Sequence, residues 1–219
     1  MKILVVLGGS SSEREVSLSS GGRVAAALRE RGHQVTEADP YPDPFAILPA
    51  AKAADVVWLA LHGGAGEDGT IQAMLDLASV RYTGSGVLGS ALAMDKDLSK
   101  RLFRLSGVAT ADWRMVRAGD GTPWREPGYA TETFATLGDR VVVKPSKQGS
   151  TVGLSIVDKP DPLDGAIEEA FRHDDEVMLE AYVPGRELTV AVLGGRALPV
   201  GEIIPKHDIY DYECKYTAG

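Results

Sequence analysis

Alternating strand and helix patterns organise the first 82 residues of the chain. Residues 3–7 form a continuous apolar run after Lys2, which predicts a buried parallel strand over residues 2–7. Apolar positions at helical spacing predict a helix over residues 13–31, which Gly32 ends. The same reasoning predicts further elements in order: a strand over 34–38, a proline-rich turn, a strand over 56–61 that is hydrophobic on both faces, a helix over 71–78 and extended chain over 80–82. This β-α-β order predicts a parallel sheet covered by helices.

The pattern changes after the glycine-rich segment 83–86, which we take as a domain boundary. Strands and helices then mix, with helices predicted over 87–94, 97–106, 129–137 and 163–171, and strands over 113–117, 141–144, 154–157 and 177–182. Gly194-Gly195 between two extended runs, 188–193 and 196–203, predicts a hairpin. We therefore predict an α/β protein with an N-terminal parallel α/β domain (1–86), a central α+β domain (87–183) and the start of a third domain (184–219). The third domain has too little apolar sequence for a core of its own, so we expect it to be incomplete.

Composition narrows the class of protein. The chain has 219 residues, 44% of them apolar, and carries 23 Lys and Arg against 31 Asp and Glu. The acidic balance argues against non-specific nucleic-acid binding, and no stretch approaches the roughly 20 apolar residues that span a membrane. The apolar run at the N-terminus is too short for a signal peptide, and one cysteine excludes an internal disulfide or a cysteine-based zinc site. We expect a cytoplasmic protein that acts on small molecules.

Two glycine-rich loops follow predicted strands of the first domain. In residues 8–17, GGSSSEREVS, helix N-terminal amides could bind an anion and a carboxylate could bind an ammonium group. The alternative is a capping segment, with a serine as N-cap and Glu13 or Glu15 favoured by the helix dipole. The spacing is not that of a dinucleotide fingerprint, which disfavours a nicotinamide oxidoreductase. Residues 62–69, HGGAGEDG, lie where open α/β sheets bind ligands, and their two acids suit a helix cap better than a metal site.

Three later motifs suggest a nucleotide. Residues 141–153, VVVKPSKQGSTVG, offer lysines, hydroxyls and glycine amides that suit a polyphosphate, although a plain hairpin with a solvated lysine is the alternative. Residues 178–187, MLEAYVPGRE, could receive adenine on a strand edge and ribose on an acid, or form an ordinary strand and turn. Residues 210–216, YDYECKY, suggest a functional flap in which Cys214 has no base to activate it.

Taken together and in this order, these motifs closely resemble D-alanine–D-alanine ligases, a family of ATP-grasp enzymes, and the resemblance runs from residue 1 to about residue 216. It implies an ATP-grasp region after the N-terminal domain. It also implies the ATP-dependent and Mg²⁺-dependent joining of two D-alanines in the cytoplasm, for peptidoglycan synthesis, by a homodimer.

The resemblance also implies roles for individual residues. Glu13 would bind the ammonium group of the first D-alanine, in a network with Ser150 and Tyr216, while Val16 and His62 would line the same subsite. The residues implied in binding phosphates are Lys96, Lys144, Ser150, Thr151 and Lys215. Those implied around adenine and ribose are Glu180, Ala181, Tyr182, Val183 and Glu187. No residue of the chain matches the family's Mg²⁺ ligands.

Two features bear on alternatives within this resemblance. Tyrosine at position 216 points to an amine as second substrate, because ligases that form D-alanyl-D-lactate resemble this family and usually carry phenylalanine there. The family continues for about a further domain, with an arginine and the metal ligands, so we expect the 219-residue segment alone not to catalyse. The remaining alternatives are a D-alanine–D-lactate ligase and a non-catalytic nucleotide-binding fragment.

Overall fold

The computed structural model describes residues 1–204. Contacts divide the chain into two compact units, residues 1–102 and residues 103–219. The three-domain division at residues 86 and 183 stays a prediction.

A parallel three-stranded sheet forms the centre of the first unit. Its order is β2-β1-β3, with β1 at Lys2–Val6, β2 at Gln34–Ala38 and β3 at Val56–Leu59. β1 is buried on both faces: Leu4 and Val6 pack on one side and Ile3 and Val5 on the other, each in a separate apolar cluster. The predicted parallel sheet is therefore confirmed, and its carboxyl ends form a single edge from which the glycine-rich loops leave.

Five helices belong wholly or mainly to this unit: α1 (Arg14–Glu30), α2 (Leu48–Ala53), α3 (Thr70–Leu77), α4 (Val87–Met94) and α5 (Lys96–Leu105). The sequence prediction missed α2, because the prolines before it were interpreted as a turn. Pro44 and Pro49 instead occupy the first turns of a 3₁₀ helix and of α2, where a missing N–H costs nothing. The third strand ends at Leu59 instead of the predicted residue 61, and Trp58 within it is 37% exposed.

An antiparallel four-stranded sheet forms the second unit, in the order β4-β7-β5-β6. Its strands are β4 (Trp113–Arg117), β5 (Val141–Pro145), β6 (Ser155–Val157) and β7 (Glu176–Ala181). Helices α6 (Tyr129–Leu137) and α7 (Leu163–Phe171) match the predicted bounds and contribute to one apolar core with Val116, Val141 and Leu179. Because side chains alternate along a strand, the residues between these core positions face the other side of the sheet.

Short strands follow the four-stranded sheet. They are β8 (Glu187–Thr189), β9 (Val192–Leu193), β10 (Arg196–Ala197) and β11 (Gly201–Ile203), and β9 pairs with β10 while β8 pairs with β11. Gly194 and Gly195 turn the inner pair with positive φ, which confirms the predicted hairpin. Within residues 1–204, none of the helices has the length and apolar character required to cross a membrane.

Candidate active site

The loops after β1 and β3 meet at the carboxyl edge of the parallel sheet. The Ser11 hydroxyl donates to the carbonyl of His62 at 2.5 Å, and the Glu13 amide donates to the Ser11 hydroxyl at 3.1 Å. This pair of bonds places Glu13 beside the second loop, where the residue is only 5% exposed. The serine N-cap alternative is not met, since Glu13 itself precedes α1 and no side chain caps the helix. Two of the predicted substrate residues therefore lie together in one cluster.

His62 is held by hydrogen bonding on one side of its ring and faces an acid on the other. Its Nε2 lies 2.9 Å from the Ser20 hydroxyl, and its Nδ1 lies 3.9 Å from a Glu67 carboxylate oxygen. Burial raises the pKa of Glu67, and the nearby Glu13 carboxylate raises it further against the opposing effects of the Gly63 amide and His62. The cluster thus combines two carboxyls and an imidazole, a set that can bind an ammonium group and exchange protons.

Gly63 allows the Glu13 carboxylate to approach the backbone of the second loop. Its φ is +66° with ψ of 168°, a conformation that is essentially restricted to glycine. A Cβ at this position would lie 2.7 Å from Glu13 Oε2. The Glu13 carboxylate can occupy this position only because residue 63 has no side chain.

Asp39 stabilises the first glycine-rich loop, residues 8–17, through hydrogen bonds and an ion pair. It accepts hydrogen bonds from the Gly9 amide at 3.0 Å and the Tyr41 amide at 2.9 Å, and it pairs with Arg14 at 2.5 Å. Burial alone would raise the pKa of Asp39, but these donors outweigh it and hold the pKa below its ordinary value. A Cβ on Gly8, whose φ is +88°, would lie 2.6 Å from the same carboxyl group.

A cleft of about 170 Å³ opens beside these loops. Its lining includes Ser11, Tyr41, Leu61, His62 and Gly63, so it combines an apolar wall with backbone and hydroxyl groups. This volume is below the roughly 300–1,000 Å³ of pockets for drug-sized ligands, so the cleft suits only a molecule of a few heavy atoms. Val16, the third predicted residue of the substrate subsite, lies partly exposed in the first turn of α1.

In the second unit, Lys144 and Glu180 form an ion pair on the face of the sheet away from the apolar core. Lys144 Nζ lies 2.5 Å from Glu180 Oε2, and the two side chains are 19% and 15% exposed. The pairing follows from register, because Val142 stands opposite Glu180 and Lys144 is two residues further along the same face. Both residues were predicted to bind nucleotide, and the structure brings their charged groups together.

The loop between β5 and β6 is a run of tight turns in strained conformations. Ser150 and Thr151 have φ of +50° and +65°, which is unusual for residues other than glycine and rarest for a β-branched residue. The Val152 amide donates to the Gly149 carbonyl and the Leu154 amide to the Thr151 carbonyl. The two predicted phosphate-binding hydroxyls therefore lie on a loop tip whose backbone is fixed by its neighbours.

Two backbone amides at the end of β7 make hydrogen bonds within the protein. The Ala181 amide donates to Asp112 and the Tyr182 amide to Arg140, each to a carbonyl oxygen. The Arg140 guanidinium also lies 4.4 Å from the centre of the Tyr182 ring. A purine bound at this edge would have to be read by other backbone atoms, such as the Ala181 carbonyl or the Val183 amide.

The other predicted residues are located within their own units. Val183 is exposed beyond the end of β7, and Glu187 is exposed in the first position of β8. Lys96 begins α5 in the first unit. Lys215 and Tyr216, together with Cys214, lie outside the described residues. Residues 1–204 contain no group of three His, Cys, Asp or Glu side chains placed to bind a metal ion.

Asp39 and Asp174 were missed by the sequence analysis, and Glu67 was interpreted only as a capping residue. Asp174 accepts hydrogen bonds from the Lys147 amide at 2.6 Å and the Glu176 amide at 3.1 Å. Each of these three acidic side chains contacts a residue of a glycine-rich loop: Asp39 contacts Gly9, Glu67 faces His62, and Asp174 contacts Lys147. Asp39 lies just after a strand and Asp174 just before one, which was the available signal, but the loop that each of these two reaches is distant in sequence. Glu67 lies within the loop that it contacts.

Comparison with known proteins places the chain in a family. A family model described as D-ala D-ala ligase N-terminus matches residues 42–85, and one described as D-ala D-ala ligase C-terminus matches residues 102–219. The D-alanine–D-alanine ligase of Geobacter sulfurreducens is 45% identical and that of Halalkalibacterium halodurans 46% identical, both across 100% of this chain. The chain spans 66% and 70% of the length of these two relatives.

Solved structures agree with this result. A D-alanine–D-alanine ligase from Bacillus anthracis superposes with a TM-score of 0.82 at 35% identity, over 98% of this chain and 68% of that one. The same enzyme in complex with ATP gives 0.82 at 33% identity, over 96% of this chain and 68% of that one. From its sequence, its fold and these relatives, the chain belongs to the D-alanine–D-alanine ligase family.

Proposed function

We propose that this chain carries out, within its complete protein, the ATP-dependent ligation of two D-alanines to D-alanyl-D-alanine for peptidoglycan synthesis. The observation that carries the proposal is the buried Glu13 carboxylate, held against the His62 loop at the open edge of a parallel sheet. The proposal assigns the ammonium group of the first D-alanine to this carboxylate, because an ammonium group donates charge-assisted hydrogen bonds to a carboxylate.

Glu13 and His62 bind the first D-alanine in this proposal. Glu13 accepts from the ammonium group, while the ring of His62, fixed by Ser20, forms a wall of the subsite. Val16 contacts the methyl group. The predicted network that joins Glu13 with Ser150 and Tyr216 is part of the proposal, and Tyr216 lies outside the described residues.

The donor groups of the second unit fit a polyphosphate and a purine. Lys144 supplies a fixed positive charge, and the strained tip of the β5–β6 loop presents the hydroxyls of Ser150 and Thr151. Glu180 and the backbone after it frame adenine, and Glu187 binds ribose. In the same proposal Lys96 and Lys215 contribute further positive charge to the phosphates.

The proposed chemistry has two steps. The carboxylate oxygen of the first D-alanine attacks the γ-phosphorus of ATP, the bond to the β-phosphate oxygen breaks, and ADP leaves. The amine of the second D-alanine, having lost a proton, then attacks the acyl carbon, and phosphate departs with the former carboxylate oxygen. The protein contributes charge neutralisation and exclusion of water, since an acyl phosphate hydrolyses.

Three further parts of the proposal rest on the family resemblance: a requirement for Mg²⁺, a cytoplasmic location and a homodimeric assembly. Mg²⁺ in nucleotide sites is usually held by one or two carboxylates together with the substrate phosphates, and no residue among 1–204 is assigned to it, so no step is assigned to the metal.

The test uses the full-length product of the gene that encodes these residues. Phosphate release and dipeptide formation are measured with ATP, Mg²⁺ and D-alanine, and again with D-lactate offered as the second substrate. Glu13→Gln is expected to lower kcat/KM for D-alanine at least tenfold, because it removes the charge opposite the ammonium group. Glu15→Gln, an exposed neighbour, is the matched control and should change it little. Equal effects of the two substitutions, or activity that does not depend on D-alanine, would refute the proposal.

A further inference from the structure

The β5–β6 loop is fastened to the turn between α7 and β7 at both of its ends. At its start, the Ser146 amide donates to the Glu176 carbonyl at 2.8 Å, and the Gln148 side chain donates to the His173 carbonyl at 3.0 Å. At its end, a Cβ on Gly153 would lie 2.6 Å from the His173 ring, so that ring packs directly against the Gly153 backbone. The strained tip thus lies between two fixed points.

Asp174 occupies the middle of this attachment. One carboxylate oxygen accepts from the Lys147 amide at 2.6 Å, and the other accepts from the Glu176 amide at 3.1 Å. Both carboxylate oxygens are therefore used, one on the loop and one on the adjoining strand. The Lys147 ammonium lies 3.6 Å from Glu176, which adds a second link between the same segments. Hydrogen bonds to an ionised acceptor are the stronger kind, which makes Asp174 the main tether.

Backbone hydrogen bonds within the loop shape its tip. Between Gln148 and Gly153 the backbone hydrogen bonds described above join neighbouring turns of the loop to one another. Ser150 and Thr151 adopt left-handed conformations that cost free energy and persist only where the surroundings impose them. Releasing the start of the loop would let these residues relax to ordinary φ values and would move their hydroxyls.

We infer that Asp174 is a positioning residue, which holds the β5–β6 loop in the conformation that receives the phosphates of the nucleotide. The inference rests on the proposed function, because it assumes that Ser150 and Thr151 bind phosphate. Asp174 acts through the Lys147 amide and does not itself contact the nucleotide. Burial raises the pKa of the Asp174 carboxyl, which is consistent with a group kept in a costly place for the bonds it makes.

The decisive variant is Asp174→Asn, which retains the shape of the side chain but has only one acceptor oxygen for two amides. If the competent loop conformation falls to about a tenth of the population, the apparent affinity for nucleotide falls about tenfold. The dissociation constant of the non-hydrolysable analogue AMP-PNP is measured by calorimetry on the full-length protein with Mg²⁺. Asp164→Asn, which removes an exposed acid from α7, is the matched control and should leave the affinity unchanged.

Hydrogen exchange without nucleotide separates this inference from the proposed function. Asp174→Asn should accelerate exchange at residues 147–153 while Val177 and Leu179 of β7 keep their protection and the melting temperature changes little. Gln148→Ala, which removes a more peripheral tether, should produce a smaller effect of the same kind and keeps the test valid if Asp174→Asn does not fold.

Three results would overturn the inference. Unchanged exchange in the loop of either variant would show that the tethers do not hold it. Accelerated exchange with wild-type affinity for AMP-PNP would show that the held conformation is not the one that binds. Loss of protection throughout β5 and β7 would show a general structural role. Failure of the wild-type protein to bind AMP-PNP would instead refute the proposed function, and the exchange measurements would still decide whether Asp174 anchors the loop.

Discussion

Gly63→Ala tests whether the exact placement of the Glu13 carboxylate matters. A Cβ at residue 63 would lie 2.7 Å from Glu13 Oε2, well inside contact distance, so the carboxylate must move. The substitution also imposes a conformation that only glycine adopts readily, since φ is +66° and ψ is 168°. The backbone cost alone is about 1–3 kcal/mol of stability.

The effect on substrate follows from the displaced carboxylate. A hydrogen bond between charged groups contributes about 1.5–3 kcal/mol, and its loss corresponds to roughly a 10- to 150-fold fall in kcat/KM for D-alanine. Gly64→Ala is the matched control. Its φ is +48°, so it carries a backbone cost of about 1–2 kcal/mol, but the nearest atom to its Cβ would be Ser11 Cβ at 3.7 Å.

The assay compares the two variants in the full-length protein. Urea unfolding measures stability, and initial rates of phosphate release at saturating ATP give kcat/KM for D-alanine. Both variants should lose stability, and only Gly63→Ala should show the large fall in kcat/KM for D-alanine. If the two variants had the same kcat/KM at comparable stability, the carboxylate position would not determine substrate binding and the reasoning would be refuted.

Three other predictions concern stability and nucleotide binding. Lys144→Met should cost about 1–3 kcal/mol, because it removes the cation beside the Glu180 carboxylate, and adding Glu180→Gln should restore much of it; additive effects in denaturant unfolding would contradict the pairing. Because the pKa of Asp39 is lowered, its stabilising contribution is present above the ordinary value of about 3.9 and is lost as pH falls through the lowered value. Asp39→Asn should therefore reduce the fall in melting temperature below about pH 4. If the melting temperature of the variant fell with pH as steeply as that of the wild type, the Asp39–Arg14 pair would not contribute this stability. Thr151→Gly should relieve about 1 kcal/mol of strain yet weaken AMP-PNP binding, and tighter binding would exclude a role for the hydroxyl.

Much of the fold can be predicted from the local periodicity of apolar residues. Helices α6 and α7 begin and end where the apolar spacing predicts, and β1 was identified because its residues face apolar clusters on both sides. The helix that was missed has a local cause as well. Pro44 was taken as a turn residue although it begins a 3₁₀ helix that leads directly into α2, which has Pro49 in its own first turn.

The site is less accessible from sequence, because its geometry depends on contacts between distant residues. A glycine-rich loop with Glu13 and one with His62 can be recognised separately, but their contact through Ser11 spans 51 residues. Asp174 lies 27 residues from Lys147, whose amide donates a hydrogen bond to it. Neither spacing leaves a periodic signal, since a side chain that tethers a loop resembles any other acid near a strand.

Oxygen-18 transfer is the measurement that tests the proposed reaction most directly. D-Alanine labelled with ¹⁸O in its carboxylate is incubated with ATP, Mg²⁺ and the full-length protein, and the phosphate released is analysed by mass spectrometry. Attack of the carboxylate on the γ-phosphorus predicts one labelled oxygen in each phosphate and one dipeptide for each phosphate. Unlabelled phosphate, or labelled phosphate without D-alanyl-D-alanine, would contradict ligation through an acyl phosphate.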